Sequence, residues 1–324
     1  MVNPLFLSFI LTGTFFINDD VSRWLDYKNY FDLDFPDLDE ERTRFNTFID
    51  NVRSIEEHNR LYELGEVTWT QTINEFTHLS PEEFSEKMAC SLPIDIDFDD
   101  VDDDDERVQI GVNESIPLSV DWTTKNKVTP VKKQGKCGSC WAFSAVGALE
   151  SQFAIKYNNL VEFSEQNMID CVGTKYNCKA CAGGDPYGVL RYIHDNGIAL
   201  EKDYPYRARK FKCQHKERLR IRGYNLLPNS EAAMQYAVGS VGPVSATLNA
   251  SLLQFYHSGI FNPTECVKKP NHAILITGYV SQRNTPYWKI KNSWGTNWGE
   301  QGYLRLIMGK NMCGINNYVS YPIL

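Results

Sequence analysis

Residues 133–144 read KQGKCGSCWAFS, with Cys137 and Cys140 three residues apart on the threshold of a stretch, 140–157, that reads as helix. A Cys-x-x-Cys pair can be a redox couple, half of a zinc site, or one structural thiol beside one reactive thiol. A redox couple needs a surrounding βαβ pattern, and a zinc ribbon needs a second hook with comparable flanks. Cys178-Lys-Ala-Cys181 is formally such a hook, so spacing alone leaves zinc open. The Gly-Gly after Cys181 and the flanks of Cys140 favour the third reading. A cysteine at a helix start is suited to be a nucleophile, because the unpaired amides and the helix dipole there favour the thiolate.

The rest of the chain limits what such a thiol can serve. With 324 residues, 42% apolar and 13% aromatic, a sizeable core is within reach. Met1 to Ile17 carries no charge, is apolar from Leu5 onward and has small residues at Thr12, Gly13 and Thr14. Residues 1–17 therefore read as a secretory signal, although without the usual positive start. The run is too short to span a bilayer and no later stretch is long and apolar enough, so no membrane span is expected. Nine cysteines on the secretory route suggest a disulfide framework, and the odd count leaves at least one thiol over as a candidate working cysteine. The net charge of −8 hides a division near Pro117: residues 1–116 carry 8 Lys and Arg against 28 Asp and Glu (−20), residues 117–324 carry 25 against 13 (+12). Such asymmetry suggests that one half binds or covers the other.

Residues 37–60 contain no Gly or Pro, and Phe45, Phe48, Ile49, Val52 and Ile55 recur at three- and four-residue steps. That predicts an amphipathic helix, capped by Asp37 or Asp39. A second set, Glu40, Arg44, Phe48, Asn51, Ile55 and Asn59, falls on one helical stripe that a single partner surface can read. It reproduces the E-x3-R-x3-F-x2-N-x3-I-x3-N signature of the inhibitory propeptides of papain-family, cathepsin-L-like proteases, which this segment resembles. Residues 72–78, TINEFTH, resemble the G-x-N-x-F-x-D motif of the same propeptides through Asn74 and Phe76. Thr72 stands where that motif has Gly and His78 where it has Asp, so a group expected to titrate nearer neutrality replaces a carboxylate. From Ser91 to Glu114 ten acidic residues accompany one basic residue, a density that resists compaction and predicts an extended, protease-accessible linker. Calcium binding there is disfavoured, because Asp102 to Asp105 lack the Gly and terminal Glu of an EF-hand loop. The expected division is a signal at 1–17, a helical inhibitory propeptide at 18–90, an acidic processing linker at 91–116 and a peptidase domain at 117–324.

Helical stretches around 140–157 and 164–171, followed by strand-like runs at 244–248, 273–279, 287–291 and 303–308, predict an α+β protein of two packed subdomains. Residues 134–141, QGKCGSCW, are similar to the nucleophile motif of papain-family proteases; 271–279, NHAILITGY, to their histidine strand; and 292–299, NSWGTNWG, to their asparagine motif. The resemblance implies a papain-like fold with a helical left part and a β-barrel-like right part, and a Cys140–His272–Asn292 site. In it Trp294 shields the His–Asn hydrogen bond, and Gln134 shares the oxyanion hole with the Cys140 backbone N–H. It further implies disulfides Cys137–Cys181 (with Cys137–Cys178 open as an alternative), Cys171–Cys213 and Cys266–Cys313, leaving Cys90 in the propeptide unpaired. No metal or organic cofactor is implied.

By the same resemblance Gly183 and Gly184 admit an extended peptide, and Asp185, Pro186, Ala246 and Tyr318 line the pocket for the residue two before the cut. Tyr318 would narrow its base and Asp185 would tolerate a basic group. No His-His pair follows Gly184, which favours endopeptidase over carboxydipeptidase action. Sequons at Asn113 and Asn249 are candidate glycan sites. The basic run Arg207 to Arg222 reads as a solvated face or a surface for polyanions. Residues 150–156 and 164–171 resemble the viral cathepsins of baculoviruses. The expected partners are protein and peptide substrates and the chain's own propeptide, with no nucleic acid and a monomeric state. The expected location is the secretory route, with the proenzyme in the endoplasmic reticulum, then a lysosome-like or extracellular site. The competing readings are a redox protein working through Cys137 and Cys140, and a catalytically silent binding protein on the same fold.

Overall fold

The computed structural model describes residues 19–88, 92, 116–216, 218–282 and 284–324. The signal, Cys90, Asn113 and nearly all of the acidic linker lie outside them. Three apolar clusters organise the described chain, and the way they are divided explains how it is built.

The first is small and belongs to the N-terminal segment alone. Helix α1 (residues 19–31) packs Trp24 and Tyr27 against Phe48, Ile49 and Val52 of helix α2 (Leu38–Glu63). Asp37 caps α2 by accepting from the Asp39 amide, and Phe48, Ile49, Val52 and Ile55 are its buried apolar residues. The chain then turns back along α2 through strand β1 (Trp69–Gln71) into helix α3 (Pro81–Met88).

The second cluster surrounds helix α4 (Cys140–Tyr157), packed by α5 (Glu165–Cys171) and α6 (Pro186–Asp195). α4 is buried almost all round, as expected for a helix clasped between two subdomains. Its Gly147 lies so close to Leu275 that a Cβ would come within 3.1 Å of that side chain. Ser164 caps α5 through the Asn167 amide.

The third cluster fills a nine-stranded sheet with the order β1-β5-β8-β7-β6-β4-β9-β3, in which β2 (Ser119–Asp121) also pairs with β6. The strands are β3 (Gly223–Leu226), β4 (Val244–Leu248), β5 (Tyr256–Phe261), β6 (His272–Val280), β7 (Tyr287–Lys291), β8 (Tyr303–Ile307) and β9 (Val319–Ile323). Helix α7 (Glu231–Ser240) packs on it. All pairings are antiparallel except β5 with β8. β1, from the N-terminal segment, adds to the edge at β5 with Trp69 opposite Gly259. Gly259 has φ +98°, and a Cβ there would meet the Thr68 carbonyl at 2.4 Å, so only glycine permits this pairing. Trp69, Phe76, Leu79, Phe84 and Met88 belong to the sheet's cluster, not to the small N-terminal one.

Candidate active site

The Cys-x-x-Cys pair is divided between two roles. Cys137 pairs with Cys181, and the other described disulfides are Cys171–Cys213 and Cys266–Cys313. A zinc hook and a Cys137–Cys140 couple are thereby ruled out, and so is Cys137–Cys178. The free thiol among the described residues is Cys178, whose burial pushes it well above the usual thiol range.

Cys140 opens α4 and is fully buried. His272 opens β6, also fully buried, and its Nε2 lies 2.8 Å from Asn292 Oδ1. Asn292 Oδ1 also accepts from the Ser293 amide at 2.8 Å, which fixes the amide's orientation and makes Nε2 the donor. The neutral imidazole then keeps its lone pair on Nδ1, the atom needed to take a proton. Trp294 tilts over the ring at 4.7 Å between centroids and is itself 1% exposed. Burial lowers the His272 pKa to about 4 against the opposing pull of Asn292 and the Met88 main chain; among the described residues Nδ1 itself has no partner within hydrogen-bond limits.

Gln134 is held at both ends. Its Oε1 accepts from Ser293 Oγ at 2.7 Å, its Nε2 donates to the Cys137 carbonyl at 3.1 Å, and its backbone amide donates to the Ser293 carbonyl. One Nε2 hydrogen remains for a ligand. Gly184 serves packing as well as access: a Cβ there would come within 2.7 Å of the Trp141 ring.

The N-terminal segment covers this constellation. Phe76 and Phe84 meet Trp294 edge-on at 5.8 and 5.3 Å. Asn74 Nδ2 donates to the Gln254 carbonyl, and Gln254 Nε2 donates back to the carbonyls of Phe76 and Leu79. Nothing in the local sequence marks Gln254; its partners are about 180 residues away. The surface that faces the helical stripe is the segment's own return. Arg44 grips Glu83 with two hydrogen bonds from Nη1 and reaches Glu40 at 3.5 Å. Asn51 Nδ2 donates to the carbonyls of Thr77 and Leu79, and Asn59 exchanges two hydrogen bonds with the Gln71 backbone. Phe48 and Ile55 fill the space between. His78 does not titrate near neutrality: burial, with Arg44 and Lys87 nearby, lowers its pKa to about 4, while Tyr27 Oη lies 2.9 Å from its Nδ1.

Asp185 and Asn249 are both engaged within the fold. Asp185 caps α6 through the Tyr187 amide, accepts from Tyr318 Oη at 2.8 Å, and burial raises its pKa to about 6. Ala246 and Pro186 are buried beside this pair's elements, on β4 and at the start of α6. Asn249 is also buried, with Nδ2 donating to the Lys269 carbonyl, an arrangement that a glycan would have to displace. No described helix is long and apolar enough to cross a membrane.

Residues 116–323 match the family described as papain family cysteine protease, and residues 24–84 match the cathepsin propeptide inhibitor domain. A cathepsin L-like proteinase of Phaedon cochleariae is 37% identical over 94% of this chain and 94% of its own length. Digestive cysteine proteinase 1 of Homarus americanus is 38% identical over 92% and 94%. The solved structure of digestive procathepsin L 3 from the larval midgut of Tenebrio molitor covers 94% of this chain and 99% of its own, at 37% identity and a TM-score of 0.84. With nucleophile, histidine and asparagine segments folded together beneath an inhibitory segment, the chain belongs to the papain family of cysteine proteases and is a cathepsin L-like zymogen.

Proposed function

We propose that the processed chain is an endopeptidase in which Cys140 attacks, His272 carries the proton and Asn292 orients the imidazole. The observation that carries this reading is the 2.8 Å contact from His272 Nε2 to Asn292 Oδ1 beneath Trp294, with Nδ1 left available. The Cys140 thiol proton passes to Nδ1 and the sulfur bonds to the scissile carbonyl carbon. The carbonyl oxygen takes the negative charge, facing the Cys140 N–H and the remaining Gln134 Nε2 hydrogen. Collapse breaks the C–N bond as His272 protonates the leaving amine. Water then attacks the thioester, gives its proton to His272, and the C–S bond breaks to release the acid. The chemistry needs no metal or organic cofactor.

Gly183 and Gly184 would pair with extended substrate, and Asp185, Pro186, Ala246 and Tyr318 would shape the pocket beside them. With the Asp185 carboxylate already committed to Tyr318 and the α6 amides, that pocket selects apolar over basic side chains.

The closed form is opened by acid. His58, His78 and His272 all have pKa values lowered mainly by burial. A histidine depressed below its usual 6.5 contributes stability above that pH, and the contribution is lost as pH falls through the depressed value. The window is therefore pH 6.5 down to about 4. Removing the prosegment re-solvates His272, raises its pKa and permits the imidazolium–thiolate pair. The −20 and +12 halves also lose attraction as carboxylates protonate.

Residues 150–156 and 164–171 support a narrower placement among viral cathepsins acting on host tissue, entering the secretory route by residues 1–17 and working as a monomer. The test of the catalytic reading is hydrolysis of a peptide amide by acid-processed protein with a thiol reductant. Cys140→Ser and His272→Ala should each lose more than about 10³-fold in kcat/KM, and Asn292→Ala less. Cleavage that survives Cys140→Ser overturns the reading; labelling with a peptide epoxide should mark Cys140 alone.

A further inference from the structure

A group of buried charges lies behind the catalytic residues and takes no part in the chemistry above. Glu150 sits on α4, the helix that begins with Cys140, and is 1% exposed. Its Oε1 accepts from Lys132 Nζ at 2.8 Å and from the Phe163 amide at 3.0 Å. Its Oε2 accepts from Thr129 Oγ1, which in turn accepts from Lys291 Nζ at 3.1 Å. Lys132 also donates to Glu165 of α5 at 2.8 Å, and Glu162 lies 3.7 Å away.

Each of the two lysines adjoins a segment of the active site. The Lys132 carbonyl accepts from the Gly295 amide, Lys133 bridges Trp294, and Gln134 follows directly. Lys291 ends β7, and Asn292 is the next residue. Between these groups lies a cavity of about 20 Å³ lined in part by Lys132, Glu150, Glu165, Lys291 and Asn292, with room for one water. Glu165 Oε2 is buried without a protein partner.

We propose that Glu150 is the positioning residue of this active site: through Lys132 it sets the loop that presents Gln134, and through Thr129 and Lys291 it sets the strand end that presents Asn292. The nucleophile's helix and the strand that presents Asn292 belong to different apolar clusters, and Glu150 ties that strand and the Gln134 loop to the helix. Stability alone is a weak reason for the arrangement, because desolvating four charges opposes their attraction and apolar packing would serve as well. A fixed network of charge-assisted hydrogen bonds does supply register. The proposal rests on the Cys140–His272–Asn292 reading.

Burial raises the Glu165 pKa and lowers that of Lys291. Facing them are Lys132, Glu150, Glu162 and Glu201. A raised carboxyl pKa means that the contribution of Glu165 to stability is full below its usual 4.5 and is lost as pH rises through the raised value.

The two arms can be separated in the processed, reduced enzyme by comparing peptide hydrolysis with alkylation of Cys140 by iodoacetamide. Alkylation needs the thiolate but not the oxyanion donors. Lys132→Met should lower kcat about tenfold or more, with KM within about threefold and alkylation nearly unchanged. Thr129→Val, close to isosteric, should shift the pH profile of alkylation by displacing Asn292 from His272. Thr129→Ser should restore it, and Glu150→Gln should show both effects. Variants that melt lower yet match wild type in kcat and in the alkylation profile overturn the proposal, as does a Thr129→Ser indistinguishable from Thr129→Val. If the wild type itself neither cleaves nor alkylates at Cys140, the catalytic reading fails instead.

Discussion

The prosegment has two halves that owe their structure to different sources. The first, α1 with α2, carries its own cluster of Trp24, Tyr27, Phe48, Ile49 and Val52. The second, β1 to α3, has no core of its own and lends Trp69, Phe76, Leu79, Phe84 and Met88 to the core of the protease sheet. A five-residue core is marginal by itself. The first half therefore acts as a clamp that holds the second half in place, and the second half is a detachable part of the enzyme. On the proposed opening of the closed form, inhibition should be lost when the clamp loosens, before the protease core is disturbed.

The largest expected break in that arrangement is Phe84→Ala. Phe84 is 1% exposed and touches both Phe76 and Trp294, so its loss should weaken closure by about 3–5 kcal/mol. Activation at mild pH should become markedly faster while processed activity is unchanged; equal activation rates would show that the second half does not depend on the shared core. Asn51→Ala acts at the joint between the halves. It removes the donor to two buried carbonyls, costs about 1–3 kcal/mol, and should appear as earlier proteolysis within 69–88.

The pH response probes the same joint. His78 touches Tyr27 of the first half and faces Arg44 of α2 with Lys87 and Glu83 of α3. His78→Gln removes a group that must be neutral in the closed form, so the midpoint of acid activation should move to lower pH and the transition should be shallower. A midpoint that moves up or stays fixed would mean that His272 and the carboxylates alone set it. The smallest effect is expected from Arg44→Lys, which loses the paired hydrogen bonds to Glu83 but keeps the charge. It should cost under about 1 kcal/mol at this partly exposed site and shorten the activation lag slightly.

What the sequence disclosed follows the range of the interactions involved. The α2 and α4 segments and strands β4 and β7 declared themselves through period and propensity, and Cys140, His272 and Asn292 through short motifs around each. The stripe on α2 was visible, but its partner was not: a pattern of amides says that something is read, and the return through 69–88 was hidden because its register depends on β5, nearly 190 residues away. Asp185 and Tyr318 fall in one expected pocket by their motifs, but their direct hydrogen bond, across 133 positions, is a tertiary contact that no local pattern carries. Glu150 did carry a signal in the sequence. A glutamate in the middle of CWAFSAVGALESQF, on a helix with no polar face, has to be buried and therefore partnered.

The addition of β1 to β5 has one more consequence. Processing takes away not only an inhibitor but a strand, and leaves a row of unpaired N–H and C=O groups along Tyr256–Phe261. The mature enzyme thus gains a template that any extended chain can pair with, including another copy of itself. Before processing, the prosegment occupies that template, which makes it a guard against self-association as well as against premature cleavage.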